Sequence, residues 1–285
     1  MSTRLTKKRS RKKSPKPTGI EEIDSLADRF PCTIHDYVTG ASTYVRQSHT
    51  LAAGPKKAAQ IRLSNALSRA LAAELTTILP RLGSGLVTDE QKIAGGLRTA
   101  NADLSESHSL DGLRLAVELK PINLAVGRAI WNRFGDIRTF AVNIHLKFPF
   151  AVVGGVLAIP TYEEIGTKAA KKAEALEEVL EEGSESLTEM LEGLEPDAAG
   201  PDTPTPLVPR KSTTHLIERA IDRLIRAGGR KSEADPSHLL EGIAVLVYDP
   251  DTGSIDPSLP EPGSGLRWEE FVATLAASYR ARFED

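Results

Sequence analysis

A chain of 285 residues that is 40% hydrophobic, 26% charged and 5% aromatic has enough apolar residues for a sizeable core, and this excludes wholesale disorder. Its one cysteine, Cys32, excludes an intramolecular disulfide framework and any thiolate cluster for zinc, and suits a reducing, cytoplasmic setting. The net charge of −3 hides a segregation: residues 1–17 hold eight Lys or Arg and no acid, while residues 174–202 hold eleven acids and no Lys or Arg.

Taken in chain order, the basic tail (1–19) carries Pro15 and Pro17 and few apolar residues. It is expected to be disordered, either as a solubilising arm or as one that touches phosphates. No apolar stretch follows it, so no secretory signal is expected. Residues 20–50 mix short apolar stretches with turn formers and suggest no element. From Pro55 to Leu79 apolar residues recur at helical spacing, with Pro55 suited to the first turn and Pro80 as a stop. Residues 82–96 read as loop or short helix. Residues 97–105 and 113–120 read as two strands around Asp111-Gly112, a strong hairpin signal.

Residues 122–134 return to helical spacing. Gly135 is expected to interrupt them, with 136–146 as a second helix. The run 150–160, bounded by prolines and rich in β-branched residues, reads as a strand buried on both faces; it is too short and too broken to cross a bilayer. Residues 167–194 read as an acidic helix and 196–209, with five prolines, as a linker. A helix over 213–227 capped by Ser212 or Thr213, a buried strand over 239–248 and a closing helix over 268–283 complete the chain. The order predicts a mixed α/β layer fold. The expected organisation is one α/β domain from 20–165 and 212–285, with 166–211 as an acidic, Pro-rich excursion.

Most of the chain lacks a chemical motif. No Gly-rich phosphate loop and no GxGxxG occurs, and the six histidines show no HxH or HxxxH spacing. The hairpin is the exception. Glu118 and Lys120 are two apart in a predicted strand and project from one face, while Val117 and Leu119 enter the core. Two charges on an otherwise apolar strand are costly unless they pair or bind something. With the turn at Asp111-Gly112, residue 103 opposes 120, which puts Asp103 on the face of Glu118 and Lys120. A carboxylate pair on adjacent strands suits a hard divalent cation such as Mg²⁺, and a neighbouring ammonium suits a positioned water.

Asp103, with fourteen residues between it and Glu118-Leu119-Lys120, resembles the signature of the PD-(D/E)xK nuclease superfamily, which includes many type II restriction endonucleases. Asp111 is the alternative first aspartate, as in the short-spaced mismatch-repair form. If 112–120 is continuous strand, Asp111 lies roughly 23 Å from Glu118 at ~3.3 Å per residue. Ala102 stands where the family pattern has proline. The resemblance covers about 60 residues, 97–160, and extends to the helix at 55–79. There Glu74 is the position for a further metal-binding glutamate, a solvated helix face being its other reading.

The resemblance implies a restriction-endonuclease-like core, a central mixed sheet flanked by helices, and a Mg²⁺-dependent endonuclease acting on double-stranded DNA as a homodimer. Asp103, Glu118, Lys120 and Asp111 are its catalytic candidates. Asp103, Glu118, Asp111 and Glu74 are its metal-ligand candidates. Across 120–147 five cations, Lys120, Arg128, Arg133, Arg138 and Lys147, meet one acid, Asp136. Trp131, Asn132, Asn143 and His145 are interleaved, so Arg128, Asn132, Arg133, Arg138 and Lys147 are the DNA-binding candidates. The other readings are a repair or mobile-element nuclease with the same site, a nuclease-fold DNA-binding or assembly protein that does not cut, and an unrelated α/β protein with a surface ion pair.

Overall fold

The computed structural model describes residues 17–164 and 210–284. The expected acidic helix, the Pro-rich linker and nearly all of the basic tail lie outside the described residues. Three helices open the described chain: α1 (Glu21–Ser25), α2 (Ile34–Gln47) and α3 (Ala53–Ile78). The last is the predicted helix. The first two fall where the sequence suggests no element. α2 starts at a reciprocal cap, in which Thr33 accepts the Asp36 amide and Asp36 accepts the Thr33 amide. That Thr-x-x-Asp pattern was legible as a helix start.

Six strands form the main sheet in the order β1 (Leu86–Val87), β4 (Leu104–His108), β5 (Gly112–Pro121), β6 (Val152–Pro160), β9 (Gly242–Asp249) and β10 (Ser254–Ile255). β5, β6 and β9 run parallel to one another, and the outer pairings are antiparallel. Two small hairpins, β2 (Gln91–Ala94) with β3 (Thr99–Ala102) and β7 (Tyr162–Glu164) with β8 (Arg210–Ser212), lie outside it. β6 is buried at every position, as its continuous apolar run requires for a central parallel strand.

Alternation along the strands sends two apolar sets to opposite faces. Val117, Leu119, Val152, Val156, Ala244 and Leu246 pack with α1, α2, α3 and the closing helix α6 (Trp268–Phe283). Ala116, Val153, Leu157, Ile243 and Val245 pack with α4 (Val126–His145) and α5 (Thr214–Leu224). The result is a mixed sheet covered by helices on both faces. Among the described residues no helix is long and apolar enough to cross a membrane.

The structure corrects several expectations. Gly135 does not break α4, which runs unbroken for 20 residues. A glycine inside a helix costs about 1 kcal/mol. The flanking Ile130 and Ile137, both fully buried, outweigh this at about 1.5–3 kcal/mol each. The strand expected over 97–105 divides at Asp103 into β3 and β4, which belong to different sheets. Residues 82–96 are not simply loop, because they contain β1 and β2. The tail boundary also moves: Thr18 is buried and both its amide and its hydroxyl bond Asp24. Thr213 is the N-cap position of α5, but its hydroxyl turns to the Pro160 carbonyl instead of capping the helix.

One buried charge knits the two described segments together. Glu241, just before β9, accepts the Val153 amide at 2.7 Å and the Arg230 guanidinium at 2.9 Å. It also pairs with Arg282 at 2.7 Å and lies 3.3 Å from His145 Nε2. Burial pushes this carboxyl up, but His145, Arg282 and the Val153 amide outweigh it and hold it below the usual range. Removing one member of such a group leaves uncompensated charge in the interior. Glu241→Ala is therefore expected to cost about 3–5 kcal/mol in urea unfolding at pH 7. The depressed carboxyl contributes stability above its unfolded value, and that stability drains away as pH falls through the folded value, so the deficit of the variant should shrink in acid. A variant as stable as the parent at pH 7 would contradict this role.

Candidate functional site

β5 carries the charged residues to its C-terminal end, between the α3 and α4 layers. Leu115, Val117 and Leu119 face α3, so Glu118 and Lys120 face the other side, as the alternation predicts. There they form an ion pair through Glu118 Oε1 and Lys120 Nζ. The register differs from expectation by two residues. Leu104 pairs with Val117 and Glu106 with Leu115: the hairpin closes at His108–Gly112, three residues out of the expected register, and a bulge between Glu106 and Ser107 returns one of them. Asp103 thereby comes alongside Glu118 instead of Lys120. A shift of two keeps every side chain on its face, so the predicted grouping survives.

Asp103 sits at the bend between β3 and β4. Its amide donates to the Val117 carbonyl, and its Oδ2 accepts the Leu119 amide at 2.7 Å. This seats the carboxylate against the peptide between Glu118 and Lys120. Ser68 of α3 fixes the other side of the bend by donating to the Asp103 carbonyl at 2.8 Å. Asp103, Glu118 and Lys120 all line one polar cleft of ≈ 390 Å³, with Glu90, Arg98, Asn101, Asp136 and Thr139 on its walls. Asp103 and Lys120 also line an adjoining cleft of ≈ 300 Å³ that reaches Gln60 and Ser64 of α3 and Arg133 of α4.

Burial pushes the Glu118 carboxyl up to about 7, against the pull of Lys120 and with help from Asp103 and Asp136. Burial likewise raises Asp103, opposed by the Leu119 amide and Lys120 and reinforced by Glu90. Two neighbouring carboxyls whose ionised forms are both disfavoured create a demand for positive charge that one ammonium leaves unmet. Among the described residues, Asp103 Oδ1 and Glu118 Oε2 carry no hydrogen bond, while the other oxygen of each is engaged. Two such oxygens and room for water suit Mg²⁺, which takes one or two carboxylates and keeps several waters. No group of three or more His, Cys, Asp or Glu suited to a metal occurs among the described residues, so the set is a pair and not a cage.

The other candidates lie elsewhere. Asp111 is in the hairpin turn, paired with Arg114, and lines a separate cleft with Lys147 and Phe148. β5 is continuous from Gly112, so the extended-strand separation that disfavours Asp111 applies. Glu74 accepts the Trp268 indole N–H at 2.7 Å and lines neither of the two clefts. Of the DNA-binding candidates, Arg133 lines the adjoining cleft and pairs with Asp136. Arg128 and Asn132 are exposed on α4 and line neither cleft. Arg138 lies on the opposite flank of α4, toward α5, and Lys147 beyond the helix end.

Asn143 and His145, read as part of a phosphate-facing surface, are buried instead. Asn143 accepts the Leu97 and Arg98 amides and donates to the Arg98 carbonyl at 2.7 Å, clamping the β2–β3 turn onto α4. That turn spans residues 95–98 and opens with Gly95-Gly96, and a Cβ on Gly95 would stand 2.4 Å from the Asn143 side chain. The hairpin delivers Arg98, Thr99 and Asn101 to the cleft, residues the sequence reading missed. Gly-Gly between two short runs was the available signal.

No family model, curated protein or solved structure matches the chain.

Two expected outcomes follow from this geometry. Asn143→Ala leaves the Leu97 and Arg98 amides unpaired, the Arg98 carbonyl keeping the Gly95 amide, and should cost about 1–3 kcal/mol, with faster hydrogen exchange at Leu97 and Arg98 than elsewhere in the sheet. Exchange unchanged at those amides would dismiss the clamp. In divalent-free buffer the folded chain holds the Glu118 proton up to about 7, against an ordinary value of 4.5. Native protein therefore binds more protons than unfolded chain between those values, and this site lowers stability as pH rises through that window. Glu118→Gln should melt higher than the parent at pH 8 and close to it at pH 5; equal melting at both would count against the raised carboxyl.

Proposed function

We propose that the protein is a Mg²⁺-dependent endonuclease that hydrolyses phosphodiester bonds in double-stranded DNA, with a type II restriction endonuclease as the specific form. The observation that carries the reading is the seating of Asp103 on the Leu119 amide, in one cleft with Glu118 and Lys120. The order α3, β4, β5, α4, β6 supports a restriction-endonuclease-like core, because the resemblance calls for a helix before the motif and a helix and buried strand after it.

On this reading Asp103 and Glu118 would hold the cation. Mg²⁺ supplies Lewis acidity and charge relief at the phosphorus when bound. Lys120, whose ammonium lies in the same cleft beside Glu118, would orient the attacking water toward the scissile bond. The Leu119 amide keeps the Asp103 carboxylate from rotating away. Arg133 and Arg98, at the mouths of the two clefts, meet phosphates on either side of the scissile bond. A homodimer would match the two-fold symmetry of a duplex site.

The test is incubation of purified protein with supercoiled plasmid and Mg²⁺. Discrete fragments are expected, with Glu118→Ala and Lys120→Ala each slowing cleavage by about 10²-fold or more. Nicking or a smear would replace restriction by repair-type cleavage. Binding without cutting would leave a non-catalytic DNA-binding module. Full activity in both variants would remove the site.

A further inference from the structure

The flank of α4 turned away from the candidate catalytic cleft faces α5 across a second concave surface. At 100° per residue, Trp131, Phe134 and Arg138 share one side of α4, opposite Ala129 and Arg133. α5 and the turn after it carry Arg219, Arg223 and Arg226 at i, i+4 and i+7, which is one stripe. Between these elements lies a cleft of ≈ 340 Å³ lined by Phe134, Arg138, Arg223, Arg226, Ala227 and His238. Its lining contains no acid. Among the described residues, none of Arg138, Arg223 and Arg226 is paired with a carboxylate.

Two of these guanidinium groups are held by aromatic rings and not by hydrogen bonds. Arg223 stacks 4.1 Å from the Trp131 centroid, with Arg219 also against that ring at 5.4 Å. Arg138 lies 5.8 Å from the Phe134 centroid. Stacking orients the planar group while leaving its N–H donors free. A helix C-terminus favours one cation in its last turn, but that does not account for three guanidinium groups converging on one concavity. Like charges gathered without counter-charge repel unless an anion joins them, and oriented guanidinium forks match phosphate oxygens two at a time.

We infer that the α4–α5 cleft, built from Arg138, Arg223 and Arg226, is a phosphate-backbone contact for double-stranded DNA, separate from the candidate catalytic cleft. It deepens the nuclease reading, on which it rests for the identity of the polymer. α4 then stands between two DNA-facing flanks, one of which cuts and one of which holds.

The experiment measures binding of a labelled 20-base-pair duplex by fluorescence anisotropy, in EDTA so that nothing is cut. Full-length parent, Arg223→Ala/Arg226→Ala and Arg138→Gln are compared from 50 to 200 mM salt, with melting temperatures recorded. The double variant is expected to bind at least tenfold more weakly at 50 mM salt. The slope of log K against log salt should fall by about 2, since each phosphate contact contributes about 0.9. Arg138→Gln, exposed and free of the α5 packing, should lower the slope by about 1 with melting unchanged. Parental affinity and slope in both variants would overturn the proposal. So would binding of millimolar inorganic phosphate or a mononucleotide at this cleft, lost in the variants, with duplex binding unaffected, since that assigns it to a small anion. Plasmid cleavage in Mg²⁺ is scored separately. A parent that binds through these arginines and never cuts defeats the nuclease reading alone; a parent that cuts while the variants bind normally defeats this cleft alone.

Discussion

β5 is enclosed on four sides: β4 and β6 along its edges, and helix layers above and below. A strand in that position must be apolar on both faces, and residues 115, 116 and 117 obey. The rule fails at Glu118 and Lys120, where the layers part and the strand end meets the clefts. Everything proposed about chemistry depends on that constraint, because burial is what makes the two charges expensive and what raises both carboxyls. The same enclosure sets Asp103, whose carboxylate reaches the Leu119 amide only because β4 is locked to β5 one residue later.

The molecule contains a control for this reasoning. Glu241 is more deeply buried than Glu118, yet its carboxyl is held low and Glu118 is pushed high. Glu241 is surrounded by two guanidinium groups, an imidazole and a backbone amide, so its charge is met inside the protein. Glu118 has one ammonium, which it shares with the field of Asp103 and Asp136. The first arrangement closes on itself and joins β6 to β9. The second leaves both carboxyls lining a cleft with a single ammonium beside them. Burial alone does not decide which way a buried carboxyl shifts; the number of partners that meet its charge does.

Local strain gathers at the same end of the molecule. Ala125, between β5 and α4, has φ +54°, a left-handed conformation that costs a non-glycine residue about 1–2 kcal/mol. It turns the chain from strand to helix within four residues, and Glu163 accepts the freed Val126 amide. Chain direction therefore reverses close enough to Lys120 for α4 to wall both clefts. The arginine-lined flank of α4 is a second consequence, since a helix with one face on the sheet leaves two flanks exposed.

Much was legible in the residues alone. The apolar run at 150–160, the periodicity of 55–79 and the closing helix each announce themselves, because burial on two faces or one imposes continuous or 3.6-residue patterns. The grouping of Asp103, Glu118 and Lys120 on one face also came from the sequence, since a period of two survives a register error of two. What the sequence could not supply was anything resting on contacts between distant segments. A turn closing at His108–Gly112, partly offset by the bulge after Glu106, moved the register, burial on either side carried α4 through Gly135, and Asn143 became a clamp because residues 97 and 98 fold back onto it. Local periodicity records which side of an element is apolar. Only the tertiary structure decides which polar residues meet, because their partners lie tens of residues away and leave no local pattern.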